Sequence, residues 1–240
     1  MPENPAPMIT TLCMASHFRC VEYLDAQSIL RRMARLTRTA SQARTRQLVI
    51  EAATELFLRD GFRTTSLEQI AEAAGFTRGA VYSNFANKTE MGIAVIDALY
   101  QREEHRAIAE VEAVAAQGPQ AWFTALADWA QGSFGDPRWA RLEIEVAAFS
   151  NGDGKLRAAT AARQKRIRAR GAELVADLCR SAGYEPPADL DTLSLGIVSL
   201  ALGLGMQRAS DPEISGAAFG SILALMFAPL TRHVAVESLP

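Results

Sequence analysis

Residues 64–91 read TTSLEQIAEAAGFTRGAVYSNFANKTEM, and this stretch decides the fold. Ser66, followed three positions later by Gln69, spells a capping box, in which two side chains satisfy backbone N–H groups reciprocally at a helix start. Leu67, Ile70, Ala71 and Ala74 then recur on one helical face. Gly75 breaks the chain, and Thr77 caps a short helix over 78–85. Asn87 with Glu90 forms a second capping box and opens a long helix that reaches towards Ala116. Upstream, Leu48, Val49, Ala52, Ala53, Leu56 and Phe57 mark a helix that ends at Asp60-Gly61, because glycine accepts the left-handed conformation at a helix C-terminus. Short helices joined by a glycine-containing turn are the signature of a helix-turn-helix. In that module one helix braces on the phosphate backbone while the last lies in the major groove of DNA.

The residue types suit such a task. Thr64, Thr65 and Ser66 place hydroxyls at a helix start, where anions are attracted. Thr77, Ser83 and Asn84 offer polar contacts to phosphate, sugar or base, and Tyr82 offers either such a contact or a core ring. Gly79 allows close backbone approach, and Arg78 can reach a guanine edge. Lys88 stands where a phosphate can lie, and Phe85 is expected inside. Arg44 and Arg46 close a run of six arginines over 31–46, read as a groove-binding or phosphate-binding arm or, in the plainer alternative, as a solvated tail.

The spelling of this stretch resembles the DNA-binding segment of the TetR/AcrR family of bacterial transcriptional regulators. Thr65, Ile70, Ala71, Ala74, Gly75, Phe76, Thr77, Gly79, Tyr82, Phe85 and Lys88 meet the family pattern. Asn84 departs from it where histidine or tyrosine is usual, and Met91 where leucine is usual. The resemblance implies a homodimer that engages a palindromic double-stranded operator. It also implies a C-terminal helical domain holding the dimer interface and a pocket for a small-molecule effector, whose binding releases the DNA. On this reading the protein is a repressor of the bacterial cytoplasm, associated with the nucleoid. The alternatives are an activator or effector-independent regulator of the same fold, and a helical dimeric binding protein without DNA binding.

The remainder is also helical, giving an all-α chain in which a long helix joins the two domains. Trp122, Phe123, Leu126 and Trp129 mark one helix after Gly118-Pro119, and Trp139, Leu142, Val146 and Phe149 mark the next. Further helices are expected over 155–182, 189–209 and 213–234. The domains are then a basic, flexible leader over 1–41, a DNA-binding domain over 42–102 with its motif at 65–84, and a regulatory and dimerisation domain over 103–240. Met33 makes an alternative start, and residues 1–32 can stand outside the native product. Trp122, Phe123, Trp129, Trp139 and Phe149 either line a largely apolar effector pocket or fill a core. Gly196, Leu200, Gly203, Gly216, Gly220, Leu223 and Phe227 combine small residues with apolar bulk, and are read as a dimer interface or, alternatively, as the monomer's core. The basic run Lys155, Arg157, Arg163, Lys165, Arg166, Arg168 and Arg170 reads as a solvated face, with a second nucleic-acid surface or an acidic-ligand site as alternatives.

Composition limits the other classes. The 240 residues carry a net charge of −2, with 49% hydrophobic and 22% charged residues, which excludes wholesale disorder and a chain that is basic throughout. Cys13, Cys20 and Cys179 form no disulfide framework, and Cys13, His17 and Cys20 lack the fourth ligand of a structural zinc. The apolar run 214–231 is long enough to raise a membrane span, but its Gly216, Gly220, Ser215 and Ser221 dilute it, so no membrane is expected. His17, His105 and His233 are dispersed, and Glu143 and Glu145 point to different faces of one helix. No catalytic set, metal site or cofactor motif is read, and the chain is not expected to be an enzyme.

Overall fold

The computed structural model describes residues 39–150, 152 and 154–227, and all regular structure among these is helical. Helix α1 covers 39–60. It is followed by α2 (Leu67–Ala73), α3 (Arg78–Tyr82), α4 (Lys88–Ala113), α5 (Pro119–Ser133), α6 (Pro137–Phe149), α7 (Gly154–Ser181), α8 (Leu190–Ser210) and α9 (Ala218–Met226). Contacts divide the chain into a unit ending at Leu48 and a unit starting at Val49. In the first unit, residues 39–48 are helical and Arg44 is exposed. The leader boundary expected at 41 therefore falls within a helix. Residues 1–38, with the arginines at 31, 32, 35 and 38, Cys13, His17 and Cys20, lie outside the described residues.

The second unit begins with the helix-turn-helix. Val49, Ala53, Phe57, Phe62, Ile70, Val81, Phe85, Met91 and Val95 are all but fully buried. Each large apolar side chain so enclosed contributes roughly 1.5–3 kcal/mol relative to exposure. The same core takes in Leu142 and Val146 of α6. The junction is close because Gly92 carries no side chain: a Cβ there would stand 2.8 Å from both the Phe62 ring and Val146. Helix α4 runs on for 26 residues into the C-terminal half. It stops at Ala113, where a 3-10 turn over Ala115–Gln117 intervenes before Gly118, at φ +88°, turns the chain into α5.

Two further cores hold the C-terminal half, one built on Phe123, Ala130, Leu204, Phe219 and Leu223, the other on Val111, Trp122 and Leu178. Helix α9 is shorter than expected from its apolar run: it begins at Ala218, and residues 228–234 lie outside the described residues. It lies on α5 at near-backbone contact. A Cβ at Gly220 would overlap the Phe123 carbonyl oxygen and stand 2.7 Å from the Ala127 nitrogen. One at Gly216 would stand 2.7 Å from the Ala130 carbonyl oxygen. These two glycines, with buried Leu223 and with Phe227 packed 5.7 Å from the Phe123 ring, thus serve contacts within the chain. Leu200 likewise leans on the second core. Gly196 and Gly203 differ, since nothing in the chain lies within 4 Å of their would-be Cβ atoms.

Helix α8 is, among the described residues, the one helix long and apolar enough to cross a membrane by length and composition, with a mean hydropathy of 1.4. The stretch 214–231 holds instead the nine-residue α9. Leu195 and Met206 on α8, and Leu225 and Met226 on α9, remain exposed.

Gly220→Ala should lower unfolding stability by about 1–3 kcal/mol, the cost of overpacking a tight contact. Gly132→Ala, on open α5 surface, should raise it by roughly 0.5–1 kcal/mol through helix propensity. Urea titrations of the two variants check both signs.

Candidate nucleic-acid interface and cavity

Caps set the geometry of the helix-turn-helix. The Ser66 hydroxyl accepts from Gln69 N at 3.2 Å, and Gln69 Oε1 accepts from Ser66 N at 2.7 Å, so the capping box is complete. Thr77 Oγ1 accepts from Ala80 N at 3.3 Å and starts α3. Asn87 Oδ1 accepts from Glu90 N at 2.8 Å, whereas the Glu90 carboxylate returns to Ala86 N at 3.0 Å, one residue earlier than a capping box requires. Gly61, at φ +96°, ends α1, and Gly75, at φ +72°, forms the turn between α2 and α3.

Helix α3 buries Val81 and, just beyond its end, Phe85; it presents Arg78, Gly79, Tyr82 and Ser83 to solvent. These four share one face by helical spacing. Thr77 and Thr64 are exposed nearby. The Arg78 guanidinium is held by Glu68 of α2, an exposed ion pair that pre-orients a long side chain. Tyr82, 48% exposed, is thus free of the core. Asn84 Nδ2 donates to Ala80 O at 2.8 Å, which ties its amide to the helix end.

Two expected contact residues face inward. Thr65 is buried, and its hydroxyl donates to Gly61 O at 2.8 Å, locking the turn after α1. Lys88 Nζ donates to Arg63 O at 3.1 Å and lies 4.7 Å above the Phe62 ring and 5.7 Å above the Phe149 ring. Burial lowers its pKa, with the charge of Glu145 acting the other way. Its ammonium therefore closes the junction with α6. Arg63, exposed beside Thr64, has instead the outward side chain, and only its adjacency to the threonines marks it in the sequence.

Helix α6 has two working faces. On one, Leu142 and Val146 enter the helix-turn-helix core, Glu145 Oε2 accepts from Arg63 N at 3.1 Å, and Arg141 Nη2 reaches Leu58 O at 3.5 Å. On the other, Trp139, Ala140, Glu143 and Ala147 line a cavity of about 570 Å³. Trp122, Phe123 and Trp129 line it too. Phe149 does not: it is half exposed and meets the Phe62 ring at 5.4 Å, because its position on α6 faces the junction. Aromatic edges continue the wall, with Trp129 at 5.0 Å from Phe134 and 6.0 Å from Phe219.

The cavity also holds a polar end that apolar periodicity does not reveal. Arg163 is 5% exposed, paired with Asp97 of α4, and stacked 4.8 Å from the Tyr100 ring. This corrects the solvated-face reading of the α7 basic run for that residue; Arg157 and Arg168 differ in being set on less enclosed α7 positions. Glu103 accepts from Arg102 Nε at 3.1 Å, Arg106 Nη1 at 2.9 Å and Ser133 Oγ at 2.8 Å. Glu143 lies beside the Tyr100 hydroxyl; burial pushes its carboxyl above the usual range, while that hydroxyl and the Arg163 charge pull it back. Burial and Glu143 together push the Tyr100 phenol up.

Against this geometry the comparisons fall into place. Residues 49–95 match the family described as "Bacterial regulatory proteins, tetR family". Over these residues the chain is similar to the TetR family. It is similar to the HTH-type transcriptional regulator TtgR of Pseudomonas putida, 44% identical over 75 residues, which cover 31% of this chain and 35% of that protein. It is similar also to the HTH-type transcriptional regulator AcrR of Shigella flexneri, 46% identical over 59 residues, covering 25% and 27% of the two chains. The chain thus spans about a third or less of the length of these curated relatives, the TetR-type domain and little more. The fold likeness reaches further: a crystal structure of a Rhodococcus sp. RHA1 protein superposes with a TM-score of 0.59 at 23% identity, over 78% of this chain and 95% of that one.

Ser66→Ala removes the cap of α2 and should cost about 1 kcal/mol of stability. A chemical denaturation midpoint unchanged by this substitution contradicts the role given to the capping box.

Proposed function

We propose that the protein is a homodimeric repressor that binds a palindromic duplex operator through α3 and is released when a largely apolar small molecule fills the cavity. One observation carries the reading: the TetR-family domain presents Arg78, Gly79, Tyr82 and Ser83 on one open helix face, with the core residues Val81 and Phe85 turned away. Arg78 is the base reader, since a guanidinium can donate two parallel hydrogen bonds to guanine. Thr64, Thr77, Tyr82 and Ser83 act as backbone contacts, with Arg63 beside them. Ser66 and Asn84 contribute through the helix ends they fix, and Lys88 meets phosphate only after leaving the Arg63 carbonyl. Arg44 and Arg46, on the helical stretch of the first unit, serve as the arm.

Release follows from α6. Its two faces belong to the cavity wall and to the helix-turn-helix core, so a ligand that displaces Trp139 or Ala147 moves Val146 and, through it, Phe62. The two reading heads then leave the spacing of their half-sites, which are set about one helical turn of DNA apart. The open face of α8, with Gly196, Gly203, Leu195 and Met206, supports the dimer: small residues let a second copy approach, and a large exposed apolar strip is otherwise unfavourable in water.

A duplex recovered by selection from a random library supplies the test. Binding should weaken linearly on a logarithmic salt scale as phosphate contacts release counterions. Arg78→Ala should weaken the selected duplex by about 5–150-fold, the equivalent of about 1–3 kcal/mol, and random duplex by much less. Equal losses on both remove Arg78 from base reading, and no duplex binding by the wild-type chain sinks the whole proposal. Gly203→Arg should give a monomer in sedimentation and a large loss of affinity through lost bivalency.

A further inference from the structure

The charges that face the cavity do not balance. On α4, Glu103 is satisfied by two guanidinium groups and a hydroxyl, and Glu104 is half-buried. Asp136, at the start of α6, pairs with Arg138. On α7, Arg163 spends its guanidinium on Asp97 and Thr160, and Arg170 pairs with Glu173. Glu143 remains. Among the described residues no ammonium or guanidinium stands within ion-pair distance of it, and its neighbours are the Tyr100 hydroxyl on α4, Trp139 on its own helix and, more distantly, Arg163 on α7.

A largely buried carboxylate with no cation is an expensive group in an apolar cavity. Its surroundings are aromatic. The Tyr100 and Trp139 rings meet edge to face at 5.0 Å beside it, and Trp129 and Trp122 line the same space. Ring faces attract positive charge, tryptophan most strongly. One buried carboxylate lacking a counter-ion, next to such rings, is complementary to a cation carried on an apolar body. An anionic ligand is disfavoured: it would face Glu143 and Glu103, while the cavity-lining guanidinium groups of Arg163 and Arg170 are already committed to Asp97 and Glu173.

We infer that the cavity takes an organic cation, with a quaternary or protonated nitrogen or a phosphonium centre on an apolar frame, and that Glu143 supplies the counter-charge. The inference rests on the cavity being the effector site of the proposed regulator. Binding is then linked to a proton. In the empty cavity burial favours the neutral carboxyl; the arriving cation favours the carboxylate, and the displaced proton passes to solvent. Affinity for the cation should therefore fall as the pH drops below the raised pKa of Glu143, by up to tenfold per unit, and level off above it. The neighbouring Tyr100 phenol is pushed upwards, away from that range, and Arg163 is paired with Asp97.

The full chain can be titrated by calorimetry with three probes of similar shape: tetraphenylphosphonium, tetraphenylborate and uncharged triphenylphosphine oxide. The phosphonium should bind at least about tenfold tighter than the borate, a difference read directly as a ratio of Kd values. Glu143→Gln should remove most of that preference and the pH dependence, and leave the phosphine oxide within about twofold of its wild-type affinity. Equal or tighter binding of the borate by the wild-type chain overturns the inference, and this comparison needs no variant that must fold. So does a Glu143→Gln protein that loses cation and neutral probe alike, since Glu143 would then be only part of the wall. Failure of all three probes on a protein that still binds its selected duplex overturns the inference and leaves DNA binding standing. Phosphonium binding by a protein that binds no duplex fails the regulator reading instead.

Discussion

The contact on which the rest depends is a three-way packing of Phe62, Gly92 and Val146. Phe62 follows α1, Gly92 lies in the first turns of α4, and Val146 belongs to α6, so one small apolar volume joins the helix-turn-helix to the C-terminal half. Protein interiors are packed at near-crystalline density, and here no side chain on α4 separates the other two. Lys88 roofs this contact with its stem and ammonium, and Glu145 ties α6 to Arg63 from the side. The direction of α6 relative to α3 is therefore set by contacts that leave little slack.

That constraint places one wall of the cavity and the helix-turn-helix core on the same helix. Rigid helices with shared cores transmit displacement, because close-packed interfaces switch between arrangements more readily than they deform. Helix α6 needs no hinge of its own, as one face lines the cavity and the other packs into the helix-turn-helix core. The Arg163–Asp97 pair ties α7 to α4. Such a buried pair adds little net stability, since desolvation offsets its attraction, but its directional hydrogen bonds favour one register over others.

Much of the N-terminal module was legible in the sequence because its information is local. Capping residues, a glycine between stripes and helical spacing act over a few positions, and Ser66–Gln69, Gly75 and Thr77 occur as their spelling implies. Thr65 and Lys88 show where such local signals stop: a hydroxyl or an ammonium has the chemistry to meet phosphate, and only the tertiary structure reveals that Gly61 and Arg63 offer acceptors within the chain. In the C-terminal half the signals are non-local. Gly216 and Gly220 differ from Gly196 and Gly203 in nothing that the sequence displays; what separates them is whether α5 passes close by. Arg163 is one basic residue among several until α4 brings Asp97 and Tyr100 to it. Phe149 shares the apolar periodicity of Trp139 but lies on the face of α6 turned to Phe62.

The cavity also has a cost that falls unevenly on the molecule. Side chains lining it forgo the dispersion contacts that they would have in a filled interior, whereas the Phe57–Phe62–Val146 region forgoes none. Without ligand, the C-terminal half should open locally more often than the helix-turn-helix, and its backbone amides around Trp129 and Ile197 should be the less protected against exchange. A ligand that fills the space would firm this softer half first. The reading head, already rigid, would feel occupancy as a change of position, with its own internal order unaltered.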